Sequence, residues 1–481
     1  MGRARHELTR QDKKPSTPTL FNTLSSFSCF LSHPSCNPFV IMKLHLLTFA
    51  LSASACLLPS DLVPRDSREA NHFALHARQS RPEPDFPIGK GDRFNKGAIV
   101  PKGLSTSDRD LKSILTPTEV SSALQGLANT FKDVELIRPP YKSYEGFQFL
   151  GAQVGKKPKL LIISGVHARE RGGPDNVVYF LSDLLHARKA NKGLKYGKTT
   201  FSAAQVRKAL DAGIVILPLV NPDGVKYDQA TNECWRKNRN PKSSKGRPDK
   251  IGIDINRNYD FIWDYKKAFS PDADLSGVSS DDPSSEVFHG TSPTSEPETK
   301  SVVWAMDKYK DLTWFIDLHS FGGDILYAWG DDNAQTKDPK ENFLNPKYDG
   351  RRGVVGDEPV KTGYKEYIKS QDLTVQKSLA NRMKVAMEKA GATLYAVMES
   401  VGLYPTAGAS TDYAQGRYYA AKCGVGKLQA YTIEFGEESG SAACPFYPGK
   451  TQYHSWMRQV ASGLMEVALQ AADSKPESKK C

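Results

Sequence analysis

Short, continuously apolar runs recur along this chain and are separated by segments with helical spacing, and this alternation limits the fold more than anything else. The runs are KLLIIS at 159–164, GIVILPL at 213–219, LTWFIDL at 312–318 and LQAYTIEF at 428–435. Between and around them, residues 116–131, 174–185, 296–309, 376–390 and 453–471 carry the three- and four-residue apolar spacing of helices. A strand that is apolar on both sides needs cover on both sides, which is the condition of a parallel sheet between helical layers. The pattern therefore predicts an α/β fold, with helices on both faces of a largely parallel sheet. A length of 481 residues would ordinarily hold about three domains. Helix and strand signals nevertheless continue to the end without a low-complexity hinge, so one large α/β/α sandwich domain is expected over 109–472. Polar stretches at 239–250, 268–286 and 331–363 read as surface excursions that shape a site. With 39% hydrophobic and 25% charged residues, the chain is neither wholly disordered nor fibrous. A net charge of +11 is too small in a chain of this size to argue for nucleic acid.

The front of the chain has a different character. LHLLTFALSASACLL at 44–58 follows Met42-Lys43 and contains Ala53-Ser54-Ala55. A basic start, a short apolar core and an A-x-A site are the parts of a secretory signal peptide. The run is too short to cross a bilayer comfortably, so no stable membrane insertion is expected. The expectation is that Met42 is the true start, 1–41 a non-structural extension, 42–55 the signal core, and the protein extracellular. Residues 56–108 read as a leader or short pro-region, with Arg78, Arg81 and Lys102 as processing points, and 473–481 as a disordered tail. Of seven cysteines, only Cys234, Cys423, Cys444 and Cys481 lie beyond the signal segment. Cys423 and Cys444 are expected to pair, because they flank one strand and its following loop. No CxxC occurs, which argues against a structural zinc knuckle.

His167-Ala-Arg-Glu170 directly follows the first apolar run. A histidine and a glutamate at this spacing can converge on one metal ion, although the pair alone reads more readily as a strand-end turn with solvated side chains. His319 closes another apolar run, and sites in open α/β sheets form outside strand ends. Two histidines and a glutamate are a known catalytic zinc set. His289, in a polar loop, is the rival third ligand. Glu434 ends the run YTIEF, and a glutamate inside an apolar strand is costly without partners or a task. It is the candidate acid/base. Arg236, in Cys234-Trp-Arg-Lys-Asn-Arg239, and Arg257, in Asp254-Ile-Asn-Arg-Asn258, offer planar cations for a substrate carboxylate or a developing oxyanion. Tyr404 lies among glycine, proline and small residues, where a mobile loop would deliver a phenol.

Taken in order, HARE, NPDG, WRKNR, DINRN, SEPET, DLHS, LYPTAGASTDY and YTIEF resemble the zinc metallocarboxypeptidases of the carboxypeptidase A family, peptidase family M14, in a secreted fungal-type form. The resemblance runs from about Asp110 to Ala471 and includes SYEG at 143–146. It implies a mixed sheet of eight strands and hydrolysis of the last peptide bond, with release of the terminal residue. It implies one Zn2+ per chain on His167, Glu170 and His319, with Glu434 as general base and then acid. It gives Arg236 to the oxyanion, Asn256 and Arg257 to the terminal carboxylate, Tyr404 to a covering loop, and Arg169 and Ser320 to substrate subsites. The partners implied are peptide or protein C-termini, bound by a monomer.

The chain also departs from the family. Arg171-Gly172-Gly173 stands where a tryptophan is frequent, and Glu233 where some members use arginine. Thr411 holds the position that most influences side-chain choice, beside the small Ala409, and Glu399 maps near the same pocket. Fewer than eighty residues are left for a folded pro-domain. Two rival readings remain: a catalytically silent relative that binds peptide C-termini, and a carboxypeptidase acting on cell-wall or modified peptides. Glu434 argues against the first, and Asn256 with Arg257 against the second.

Overall fold

Successive side chains of a strand point to opposite sides of the sheet, and here both sides are apolar. In β3 (Leu160–Ser164), Leu160 and Ile162 enter one buried cluster while Leu161 and Ile163 enter another. β6 (Ile214–Leu217) and β7 (Trp314–His319) divide in the same way. This is why their sequences read as unbroken apolar runs rather than as alternation. The computed structural model of the chain describes residues 83–107, 110–355, 362–421, 423–479 and 481. The expected extension, signal core and cleavage site at 1–55 lie outside the described residues.

The main sheet has eight strands, in the order β1-β2-β6-β3-β7-β12-β8-β11. Its remaining members are β1 (Val134–Ile137), β2 (Gly151–Val154), β8 (Asp324–Tyr327), β11 (Ala396–Glu399) and β12 (Gln429–Glu434). The β6/β3, β3/β7, β7/β12 and β8/β11 pairs are parallel, and the other three are antiparallel. A small hairpin, β4 (Leu194–Tyr196) with β5 (Thr199–Phe201), and the short pair β9 (Ala334–Gln335) with β10 (Glu366–Tyr367), lie outside it. The described α-helices in chain order are α1 (Pro117–Thr130), α2 (Gly173–Lys189), α3 (Ala203–Asp211), α4 (Pro222–Thr231), α5 (Tyr265–Ala268), α6 (Pro297–Lys308), α7 (Ser370–Ala390), α8 (Ser410–Ala420) and α9 (Lys450–Asp473). Residues of α1, α2, α3, α7 and α9 cover one face, and α6 and α8 cover the other. The fold is thus an α/β sandwich around a mixed, mostly parallel sheet, as expected. No helix among the described residues is long and apolar enough to cross a membrane.

Local signals explain the starts of several helices. Thr116 Oγ1 accepts a hydrogen bond from the Glu119 N–H, and Glu119 Oε2 accepts one from the Thr116 N–H. This reciprocal cap, followed by Pro117 at the first helical position, sets the beginning of α1. Ser202 and Gln205 cap α3 in the same way.

Two expectations about the chain's end are corrected. The expected Cys423–Cys444 bond is absent; the disulfides are Cys234–Cys444 and Cys423–Cys481. Cys423 precedes β12 and Cys444 follows it, so they lie beyond opposite ends of a strand about 20 Å long, far outside bonding range. The tail is also held in place. Gly426 and Ser478 form a β-bridge, and the Lys479 ammonium donates to the Tyr419 and Ala421 carbonyls. At the front, residues from Glu83 onward pack on the domain: Phe86 stacks on Tyr453 at 4.3 Å, and Arg93 pairs with Glu119 at 2.6 Å.

Candidate active site

Strand register brings the candidate residues together at one edge of the sheet. Glu434 of β12 stands opposite His319 of β7, and β3, paired on the other side of β7, ends three residues before His167. Directly opposed residues point to the same face, about 5 Å apart at Cβ. His319, Glu434, Asp324 and Ala396 therefore form a row across β7, β12, β8 and β11. A second, parallel row holds Asp317, Thr432, Leu326 and Met398.

His167, Glu170 and His319 are each at most 3% exposed. Glu170 Oε1 lies 2.5 Å from His167 Nδ1, and Glu170 Oε2 lies 3.0 Å from His319 Nδ1. The two Nδ1 atoms face each other at 3.1 Å. The three residues form the one such ligand cluster among the described residues. Behind His167, Nε2 meets Asp254 Oδ1 at 3.1 Å. Behind His319, Nε2 lies 3.0 Å from Asp317 Oδ2, close enough to ion-pair but poorly aligned for a hydrogen bond. Carboxylates placed behind imidazoles orient ligands for a metal.

The charge balance points the same way. Glu170, Asp254 and Asp317 are buried together, and the guanidinium of Arg236 is paired to Asp254 at 2.8 Å. Burial alone would raise the Glu170 pKa, but the neighbouring His167 and His319 outweigh it and hold it below the carboxylate range. Burial also opposes ionisation of Asp254, and Arg236 and His167 override it, holding Asp254 well below its usual value. Burial would lower His319, but Asp317 and Glu170 push it well above the ordinary imidazole value. Two imidazole nitrogens and a carboxylate, within reach of one ion at bond lengths of about 2.0–2.2 Å, suit zinc.

The residues expected to bind substrate are placed as follows. Arg257 is 1% exposed, and among the described residues its guanidinium donates to the carbonyls of Asn256 and Gly277, with no partner there for Nε. A guanidinium can bind a carboxylate through two parallel hydrogen bonds. Asn256 Oδ1 accepts from the Ser410 N–H at 2.8 Å. Tyr404 packs beside Leu326 and Leu403, with the Arg257 guanidinium 5.8 Å from its ring. Gly408 allows this approach: its φ is +68°, and a Cβ there would lie 2.2 Å from the Arg257 carbonyl oxygen. Thr411 Oγ1 meets Thr432 Oγ1 at 2.6 Å, two residues before Glu434 on the same face. The Ser320 N–H donates to Glu170 Oε2 at 3.2 Å, while Ser320 Oγ is buried with no partner among the described residues. Arg169 lies over Phe446 at 4.6 Å and faces Glu286 at 3.7 Å.

A family profile described as zinc carboxypeptidase, Peptidase_M14, matches residues 120–455. The chain belongs to this family. Carboxypeptidase A4 of Mus musculus is 31% identical over 257 residues, covering 53% of this chain and 52% of that protein. Inactive metallocarboxypeptidase ecm14 of Talaromyces stipitatus is 28% identical over 218 residues, covering 44% of this chain and 32% of that protein. The matched stretches span about half, or less, of the first curated relatives. The crystal structure of thrombin activatable fibrinolysis inhibitor superposes with a TM-score of 0.54 at 20% identity, over 79% of this chain and 82% of that one, a likeness of fold.

Within this zinc carboxypeptidase framework, two sequence candidates fall elsewhere. His289 pairs with Asp281 at 2.7 Å and stacks on Trp263, outside the ligand cluster. Glu399 opposes Tyr327 on the other face of the sheet from Thr432 and Glu434, and accepts from the Ala334 N–H at 2.9 Å. It is therefore no part of the Thr411 pocket. Arg171 is structural, pairing with Asp228 at 2.9 Å and lying over Tyr447. Sequence reasoning missed Asp254 and Asp317 as supports of the histidines. For Asp317 a signal existed: it interrupts an apolar strand two residues before His319, on the same face.

Proposed function

We propose that the chain is a zinc-dependent exopeptidase that hydrolyses the C-terminal peptide bond of peptides and proteins and releases the terminal amino acid. The observation that carries this reading is the buried His167–Glu170–His319 cluster standing in register with Glu434. When bound, zinc acidifies water and polarises a carbonyl. Glu434 takes the proton of the attacking water and passes it to the leaving amine. Arg236, oriented by Asp254, donates to the oxygen that gains charge. Arg257 and Asn256 bind the terminal carboxylate, and Tyr404 covers it. The terminal side chain enters the space between Thr411, Thr432 and Leu326. Arg169 and Ser320 line the path of the upstream peptide.

The protein acts outside the cell as a monomer, on this reading. Its apolar segment at 44–58 and its two disulfides support an oxidising compartment. The likeness to a Talaromyces protein supports a fungal-type member. That relative is called inactive, and Glu434 together with three intact ligands supports activity here.

The test pairs a peptide bearing a free C-terminus with its C-terminal amide. The free peptide is expected to lose one residue, and the amide to lose none. Equal cleavage of both would overturn the role of Arg257 and Asn256.

A further inference from the structure

Asp324 stands beside Glu434 in the register of β8 and β12, so its side chain is on the active face. It is 4% exposed, yet among the described residues it has no hydrogen-bond donor and no ion pair. Other buried carboxylates are provided for. Asp175 has the Tyr453 hydroxyl, Asp183 has Thr106 and Tyr196, Asp254 has Arg236, and Asp331 has Arg352. Burial alone raises the Asp324 carboxyl to about 7. A bare carboxyl on a buried strand is costly, and a cation is the partner that removes the cost.

The surroundings indicate where that cation comes from. In the proposed exopeptidase reading, the terminal carboxylate lies at Arg257 and the terminal side chain in the second row, at Thr432 and Leu326. The scissile carbonyl lies over His319 and Glu434. The next residue upstream then passes along the continuation of the first row, onto β8 and β11. There Asp324 is followed by Ala396, which is exposed, and by Leu394, 77% exposed two residues earlier. Exposed Glu437 and Glu438, in the loop leaving β12, add charge of the same sign. An apolar shelf ending at a buried carboxylate suits a long cationic side chain, whose stem packs while its head is neutralised.

We propose that Asp324 receives the lysine or arginine side chain of the residue immediately upstream of the one released. This makes it a specificity residue for the reaction proposed above, on which the inference rests.

The experiment uses the zinc-supplemented full chain, wild type and Asp324→Asn, with peptides identical except for Arg, Leu or Glu at the penultimate position. A further set places Arg at the last position instead. Turnover gives kcat/KM, and fluorescence anisotropy of labelled peptides gives Kd independently of turnover. Wild type is expected to prefer penultimate Arg over Leu by about ten-fold or more, the scale of a charged hydrogen bond. Asp324→Asn is expected to bring that ratio to near one. A wild-type ratio near one, a ratio kept by Asp324→Asn, or a preference for Arg only at the last position would each overturn the proposal. A uniform loss on every peptide, with the ratio intact, would assign Asp324 to the support of Glu434 instead, and so would also overturn it. If no peptide were cleaved, the exopeptidase reading would fail, and the Kd ratio would still decide the role of Asp324. Asparagine has nearly the same shape, and an unchanged Tm checks that the variant folds.

Discussion

Asp254 shows how much of the site depends on one side chain. Its Oδ1 meets His167 Nε2, and its Oδ2 accepts from Arg236, so it orients a histidine of the metal cluster and the Arg236 guanidinium together. Asp254→Asn is expected to weaken zinc binding about ten- to a hundred-fold, read by competition with a chelating dye. An unchanged affinity would mean that His167 holds its orientation without it. Glu434→Gln is expected to lower kcat about a hundred- to ten-thousand-fold while zinc content stays at one per chain. At this scale the sequence is informative about the metal cluster and Glu434, because HARE, DLHS and YTIEF place these residues at or just after strand ends. It says little about residues behind them. Asp254 shares a motif with Asn256 and Arg257, and nothing in their spacing shows that it faces inward to a histidine 87 positions earlier.

Among elements, the central strands were legible because burial on both faces makes them continuously apolar. Edge strands were not. β11 is mostly half-exposed, and β1 is only four residues long, so neither leaves a run that stands out from a loop. Helix α4 was hidden because Asn221-Pro-Asp-Gly224 reads as a turn, whereas Asn221 caps the helix by accepting from the Gly224 N–H. The disulfides were misassigned for a different reason: Cys423 and Cys444 flank one strand, but an extended strand holds its two ends apart instead of bringing them together. The Cys234–Cys444 bond ties the Arg236 segment to the loop carrying Phe446. Removing it with paired Cys→Ala changes is expected to cost about 2–4 kcal/mol in chemical denaturation, as for other long-range bridges. A non-reducing peptide map showing a 423–444 linkage would contradict the pairing. At Gly408, alanine is expected to lower kcat/KM without loss of zinc, since its Cβ would push against the Arg257 backbone.

For the molecule as a whole, the length pointed to several domains, but the motifs and the sheet occupy one continuous α/β body. What binds it includes buried acids with unequal surroundings. Glu298 lies in the first turn of α6; burial, then the neighbouring Glu296, raise its pKa to about 8. A carboxyl whose folded pKa exceeds its unfolded value of about 4.5 binds more protons when folded. Its contribution is complete below that unfolded value and is lost as pH rises through about 8. Glu298→Gln is therefore expected to flatten the fall in Tm between about pH 5 and 8; an unaltered slope would place the proton elsewhere. The proposed activity depends on the cluster at the strand edge. It is tested most directly by mass spectrometry of one peptide incubated with the purified chain, alone, with a chelator, and with chelator followed by excess zinc. Loss of a single C-terminal residue is expected, with its abolition by the chelator and its return with zinc. Residue release that continues undiminished under chelation would contradict it.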